Sequence, residues 1–187
     1  MDKQKKILQS ALQLFVEYGF HGTPTSKIAS NAGVAAGTLF HYFKTKDDLI
    51  VSLYIRIKGE LNTYVYSQIN PNDPIQAKFR TLFNHTLYWA LENNQEFYFI
   101  QQFHFSPHLA SIPPEELASQ AKPHIELFEQ AALEKVLKPF PADLLLTLVA
   151  SQVYGLHQYL AKAGFDKKRQ SEVIDQAFEM IWDMITV

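Results

Sequence analysis

The chain has 187 residues, no cysteine, and 17 Lys and Arg against 19 Asp and Glu, for a net charge of −2. That length allows one large domain or two small ones with a full core. The missing cysteines exclude a disulfide framework, a thiolate zinc site and a cysteine nucleophile. No apolar run approaches the roughly 18 residues of a membrane span, and the start leads into an amphipathic pattern instead of a signal core, so a cytoplasmic chain with no membrane partner is expected. The average charge argues against a nucleic-acid partner, but it hides a division. Residues 1–46 hold Lys3, Lys5, Lys6, Lys27, Lys44 and Lys46 against Asp2 and Glu17, a surplus of four positive charges, and the remainder has a surplus of six negative ones. A basic head on an acidic body is the pattern expected of a chain that touches nucleic acid at one end.

Helical periodicity dominates, and no segment alternates with period two for long enough to suggest a sheet. Ile7, Leu8, Ala11, Leu12, Leu14, Phe15 and Tyr18 place a first helix at about 3–18, closed by Gly19. Gly22-Thr23-Pro24 is a turn, and Thr25 is placed to N-cap a short helix over 26–32, which Gly33 ends. A second short helix follows at about 36–43. Thr45-Lys46-Asp47-Asp48 matches a capping box in its acidic form and opens a long helix that reaches Ile69. Asn70 to Pro74 breaks it; a helix to about Asn93 follows, then one over 95–105 and a proline-bearing loop from Ser106 to Pro114. A helix over 115–137 contains Pro123, which is expected to kink or split it. Helices over 142–163 and 167–186 complete an all-α chain of about nine helices.

The last two helices are apolar on more than one side. Over 172–185 the polar residues Glu172, Asp175, Gln176, Glu179 and Asp183 form one narrow stripe, the reverse of an ordinary surface helix. The helix over 142–163 is similar, and Gly155 permits close approach. Either the pair is the core of a monomer or it self-associates, and a homodimer is the favoured reading. Its interface is expected at Leu148, Gln152, Gly155, Leu156, Tyr159, Phe178, Ile181, Trp182 and Ile185.

Two short helices joined at Ala32-Gly33-Val34, with a first helix to brace them, make a helix-turn-helix, whose second helix enters the major groove of DNA. Ile28, Ala29, Val34, Leu39 and Phe43 supply the contacts that lock the two together. Gly37 and Thr38 sit where unpaired N–H groups favour a phosphate. Thr25, Ser26 and Lys27 begin the preceding helix, while Lys44 and Lys46 follow the recognition helix; such residues orient the head without reading sequence. Ala35, Ala36, Gly37, Thr38, His41 and Tyr42 are left to face the bases.

The run from Thr23 to Leu49 resembles the TetR family of transcriptional regulators. It has a Thr at the second helix's start, Ile28-Ala29, Ala32-Gly33-Val34, Gly37-Thr38-Leu39, an aromatic, Tyr42-Phe43 and a Lys46-x-x-Leu49 ending. Phe15 to Phe20 also looks like the family's first-helix ending. By position, the resemblance implies DNA contacts from Thr25, Ser26, Gly37, Thr38, Phe40, His41, Tyr42 and Lys46. Phe40 stands where the family usually has Tyr, and Ala35 where Ser or Thr is common. The head has no Arg, so the commonest bidentate guanine contact must come from Lys or be absent.

The family's organisation implies a helix-turn-helix head at 1–48 and a helical ligand-binding and dimerisation body at 49–187. The implied partners are a palindromic operator in double-stranded DNA, a second copy of the chain and a small apolar or aromatic effector. Aromatic residues crowd the region 70–140, and the expected effector contacts are His85, Tyr88, Trp89, Phe103 and His104. The same spacing also suits plain core. His104 and His108 are spaced as a metal-binding pair, but Pro107 lies between them, so no metal and no other cofactor is expected. No catalytic motif occurs, and the chain reads as a regulator, not an enzyme. Two rival readings stay open: a DNA-binding regulator without an effector, and a helical small-molecule-binding protein whose head has weakened.

Overall fold

A computed structural model describes residues 2–187. Among them the chain forms α1 (Lys3–Tyr18), α2 (Thr25–Asn31), α3 (Ala36–Tyr42), α4 (Lys46–Gln68), α5 (Ile75–Glu92), α6 (Asn94–His104), α7 (Pro114–Leu133), α8 (Ala142–Lys162) and α9 (Lys167–Ile185). A short 3₁₀ helix, Pro107–Ser111, occupies the expected loop after α6. The all-α architecture is the one the periodicity predicts. The helices gather into two compact units, residues 2–59 with 93–113, and residues 60–92 with 114–187.

In the first unit, α1 buries Ile7, Leu8, Ala11, Leu12, Leu14 and Phe15 on one face, against Ile28 and Ala29 of α2 and Leu39 of α3. Two polar residues fix the crossing of α1 and α2. The buried Ser10 hydroxyl donates to the Ile28 carbonyl at 2.9 Å, and the Asn31 amide donates back to the Ser10 oxygen at 3.1 Å. The buried Thr23 hydroxyl lies 3.0 Å from the Leu14 carbonyl oxygen and 2.8 Å from that of Gly19, tying the turn to the end of α1. Gly19 and Gly33 both take positive φ, 72° and 66°, a region that favours glycine. A Cβ at Gly22 would run into the Tyr18 carbonyl oxygen, backbone that cannot swing aside. Gly22→Ala is therefore expected to cost about 2 kcal/mol, as overpacking does, and to lower the thermal midpoint by roughly 4–8 °C. An unchanged melting curve would show that the turn yields.

One local expectation changes and one holds. Thr25 is the first residue of α2 and not its N-cap; Pro24 occupies the cap in an extended conformation and offers no side-chain hydrogen bond. The capping box at α4 is present in full, with the Asp48 N–H donating to Thr45 Oγ1 and the Thr45 N–H donating to Asp48 Oδ2, both at 3.0 Å.

The segment 95–105, expected as part of the body, packs with the head. The reason is aromatic. Phe99 of α6 meets Phe15 of α1 at 6.3 Å and Phe20 at 5.6 Å, and Phe103 stacks on Tyr54 of α4 at 3.9 Å. His108 of the 3₁₀ helix lies edge-on to Phe20 at 5.2 Å, and its Nδ1 is 3.5 Å from Asp47 in the first turn of α4.

In the second unit, α5 packs against α8 and α9, and α7 against α8. Phe79 of α5 contacts Phe128 at 4.8 Å and Trp182 at 5.3 Å, with Phe83 against Phe178 at 5.9 Å. Arg80 bridges to Glu179 and lies over the Phe178 ring, while the Asn84 amide donates to Asp175 at 2.7 Å. Pro123 neither splits nor ends α7, which runs unbroken to Leu133. Its end comes four residues before the expected 137. Lys135 turns left-handed (φ 57°) and the Val136 N–H reaches the Ala131 carbonyl. The next residues are extended, pairing with the chain end through Lys138 N–H to Ile185 and Val187 N–H to Val136. The Lys138 ammonium also donates to the Met184 carbonyl at 2.7 Å, a cation at the C-terminal end of α9, where the helix dipole favours it.

Candidate nucleic-acid interface

Because Leu39 and Phe43 are drawn into the core, the opposite side of α3 is left in solvent. Ala36, Gly37, Phe40 and His41 are exposed there at the spacing of one helical face, with Thr38 half-buried beside them. Phe40 is 42% exposed and Tyr42 39%, large apolar rings held outside a core that has room for others. His41 meets Tyr42 edge-on at 5.4 Å, so these two rings form one surface, and Tyr42 is not buried in the three-helix head. At Gly37 a Cβ would meet nothing within 4 Å, and the residue does not have a positive φ. The fold has no need of glycine at that position.

Around this face stand the polar and basic residues. Thr25 is half-buried at the start of α2, and Ser26 and Lys27 are exposed. The Lys27 ammonium sits 3.5 Å above the Tyr18 ring, which places the charge without neutralising it. Lys44 is exposed after α3, and Lys46 is half-buried as the first residue of α4. An open groove of about 350 Å³ beside them is lined by Tyr42, Lys44, Asp47, Asp48, Ser52 and Pro113 among others. Its carboxylates make it a poor seat for a phosphate or for an apolar ligand.

The expected effector contacts fall in both units. In the first, Phe103 is fully buried, a core ring between Tyr54, Phe99 and His108. His104 has its pKa lowered by burial and then by the charge of Lys58. In the second, His85 also has its pKa lowered by burial; its Nδ1 is 3.4 Å from the Tyr64 hydroxyl, and the Tyr88 ring stands edge-on at 5.6 Å. The Tyr88 hydroxyl and Ser171 are 2.9 Å apart, tying α5 to α9, and Trp89 is buried. Sequence reasoning did not single out Tyr66, whose hydroxyl is buried without a hydrogen-bond partner and whose ring is edge-on to His124 at 5.3 Å. No three His, Asp or Glu side chains gather as a metal site among the described residues.

The expected dimer residues divide sharply. Phe178, Trp182 and Ile185 are buried in the chain's own core against α5 and have little surface left for a partner. Leu156 and Ile181 are half-buried. Leu148 is 40% exposed and Tyr159 56%, and Gln152 and Gly155 are exposed on the same side of α8. With Leu144, Thr147 and Ser151 they make a stripe, and no Asp, Glu, Lys or Arg occurs in α8 between Leu144 and Ala161. On α9 the exposed apolar residues are Met180 and Met184. No helix among the described residues is long and apolar enough to cross a membrane.

Comparison with known proteins agrees with this geometry. Residues 7–53 match the family model for bacterial regulatory proteins of the tetR family, and residues 74–186 match the tetracyclin repressor-like C-terminal domain. An uncharacterized HTH-type transcriptional regulator of Haemophilus influenzae is 23% identical over 98% of this chain and 96% of its own length. The fatty acid metabolism regulator protein of Bacillus subtilis is 41% identical over 58 residues, 31% of this chain and 30% of that protein. A crystal structure of a tetR family transcription regulator from Shewanella sp. PV-4 superposes with a TM-score of 0.92 at 29% identity, covering 100% of both chains. The exposed recognition face, the braced three-helix head and the two family matches place the chain in the TetR family, as a transcriptional regulator with a DNA-binding helix-turn-helix and not an enzyme.

Proposed function

We propose that the chain is a ligand-responsive repressor. It acts in the cytoplasm as a homodimer that binds an inverted-repeat operator and releases it when a small apolar or aromatic effector enters the body. The observation that carries the DNA side is Gly37. Alanine in its place would make the helix more stable by about 1 kcal/mol, and nothing in the chain obstructs it. Glycine there serves a surface that presses against the backbone from outside. Base edges fall to Ala36, Gly37, Thr38, Phe40, His41 and Tyr42, and phosphates to Thr25, Ser26, Lys27, Lys44 and Lys46.

The body's role follows from α4, which starts at the capping box directly behind α3 and continues as one helix to Gln68. An effector contacting the body shifts α4 and so the spacing of two heads, provided it binds the two spacings with different affinity. Within the second unit its contacts are assigned to His85, Tyr88 and Trp89. The likeness to the fatty acid regulator spans 58 residues, 31% of the chain, and carries no argument about the effector.

The test is a mobility shift with DNA from upstream of the protein's own gene. Binding should weaken with salt, and Lys46→Ala should weaken it further while reducing the salt slope by about one. Tyr42→Ala and Gly37→Ala should each lose roughly tenfold, about 1.4 kcal/mol, with Gly37→Ala melting no lower than wild type. Absence of binding at low salt would overturn the repressor reading.

A further inference from the structure

The residues of α3 run Ala36-Gly37-Thr38-Leu39-Phe40-His41-Tyr42, with no Arg, Lys, Asn, Gln, Asp or Glu among them. The side chains that bind guanine or adenine with two hydrogen bonds are therefore absent from this helix. Asn31, the one amide of α2, is committed to α1, its Nδ2 lying 3.1 Å from Ser10 Oγ. What α3 offers instead is apolar. Phe40 stands one turn after Ala36 and Gly37 on the same exposed face and is itself 42% exposed. Its ring meets no other ring among the described residues, whereas His41 and Tyr42 meet each other at 5.4 Å. Ala36 and Gly37 put no bulk beside it, and even a Cβ at Gly37 would touch nothing within 4 Å. The ring thus stands clear of the surface with room for a base edge to approach. An exposed phenyl group gains from contact with another apolar group. Among the four ordinary bases, the major groove presents one such group, the 5-methyl of thymine.

We propose that Phe40 is a specificity-determining residue that reads thymine: its ring, with Ala36 beside it, packs on a thymine 5-methyl group in each half of the operator. This rests on the DNA reading above and narrows the sequence that the head selects. A phenyl ring has neither donor nor acceptor, so it separates T·A from the other base pairs through that methyl and not through hydrogen bonds. Removing the methyl is therefore a direct probe of the contact.

The test uses the full-length protein at low salt with DNA that it binds, taken from upstream of its own gene or selected from a random library. Each fragment is prepared once with thymine and once with uracil, which keeps the base pairing and loses only the methyl. Thymine DNA should bind at least tenfold more tightly than uracil DNA. Single thymine-to-uracil replacements across the footprint should locate the contact at one position in each half-site. Each should weaken binding about fourfold, the equivalent of about 0.8 kcal/mol for one buried methyl. Phe40→Ala should bind thymine DNA more weakly than wild type, lose the difference between the two fragments and melt no lower. Phe40→Leu, which keeps an apolar group at the position, should retain most of the difference. Equal binding of both fragments by the wild type, or a preference that survives in Phe40→Ala, overturns the proposal and leaves the head a DNA reader. A lower melting point for Phe40→Ala assigns the ring to the fold and overturns it as well. No binding to any DNA defeats the DNA reading and this inference together.

Discussion

Leu148→Glu is expected to convert the protein to a monomer and to lower operator affinity by a factor of roughly 100 or more. The magnitude comes from linkage: a second head held on a fixed frame contributes an effective concentration worth about 10²–10⁴ in affinity. Leu148 lies one turn after Leu144 on the uncharged stripe of α8, which continues to Tyr159. It is 40% exposed in the single chain, so the substitution empties no core and creates no buried charge unless a partner covers it. A glutamate there would meet its own copy or the partner's apolar surface, and either outcome opposes association. Gly155 points the same way, since its face is open to solvent and a Cβ would touch nothing in the chain. Sedimentation gives the oligomeric state and circular dichroism shows whether the helices persist. A Leu148→Glu protein that stays dimeric would remove α8 as the interface.

Lys58→Met is expected to stabilise the protein by about 2–3 kcal/mol at pH 7, which raises the thermal midpoint by roughly 4–10 °C. The direction follows from the lowered pKa. In the unfolded chain Lys58 keeps its proton to about 10.5, and in the folded chain only to about 8. Below pH 8 both states are protonated, so the folded state bears the whole cost of the buried charge. Between 8 and 10.5 the unfolded state binds the extra proton, and the stability of the wild-type protein rises relative to the variant. The advantage of Lys58→Met should therefore shrink by about 1.4 kcal/mol for each pH unit above 8. Denaturant melts of both proteins at pH 7, 8 and 9 measure it. A gap that does not change with pH would assign the gain to packing and not to charge.

These two positions differ in how they read from sequence. The stripe of α8 was visible as an apolar helix with too few polar residues to be a lone surface helix. Which of its residues and those of α9 face outward was not visible, because Phe178 and Trp182 have the same apolar character as Leu148 and Tyr159. Only the packing of Phe79 and Phe83 against α9 draws the first two inward. Lys58 was legible in principle, as a lysine in register with Tyr54, Leu61 and Val65. The register alone does not distinguish it, because lysine stems often lie along apolar faces with the charge in water.

The head was the most legible part, since its turn, its capping box and its alternation of buried and exposed positions are all local. Thr25 shows the limit of that locality. A threonine before a short helix suits an N-cap, yet Pro24 already has the extended conformation of a cap and the helix begins one residue sooner. The end of α7 shows the same limit from further away. The helix closes on a left-handed Lys135, a residue type that does not announce such a turn, and the segment 136–138 then pairs with the end of α9.

By itself the sequence determined the all-α class, the helix-turn-helix and the face of α3 left in solvent, because helix period, caps and turns act over a few residues. The uneven charge behind the net −2 belongs to the same level. Tertiary structure alone decided that 93–113 packs with the head, that α9 turns its large rings inward, and that burial holds the Lys58 pKa down. Each depends on which residues distant along the chain meet, and periodicity within a helix records only that a face is apolar, not what will cover it.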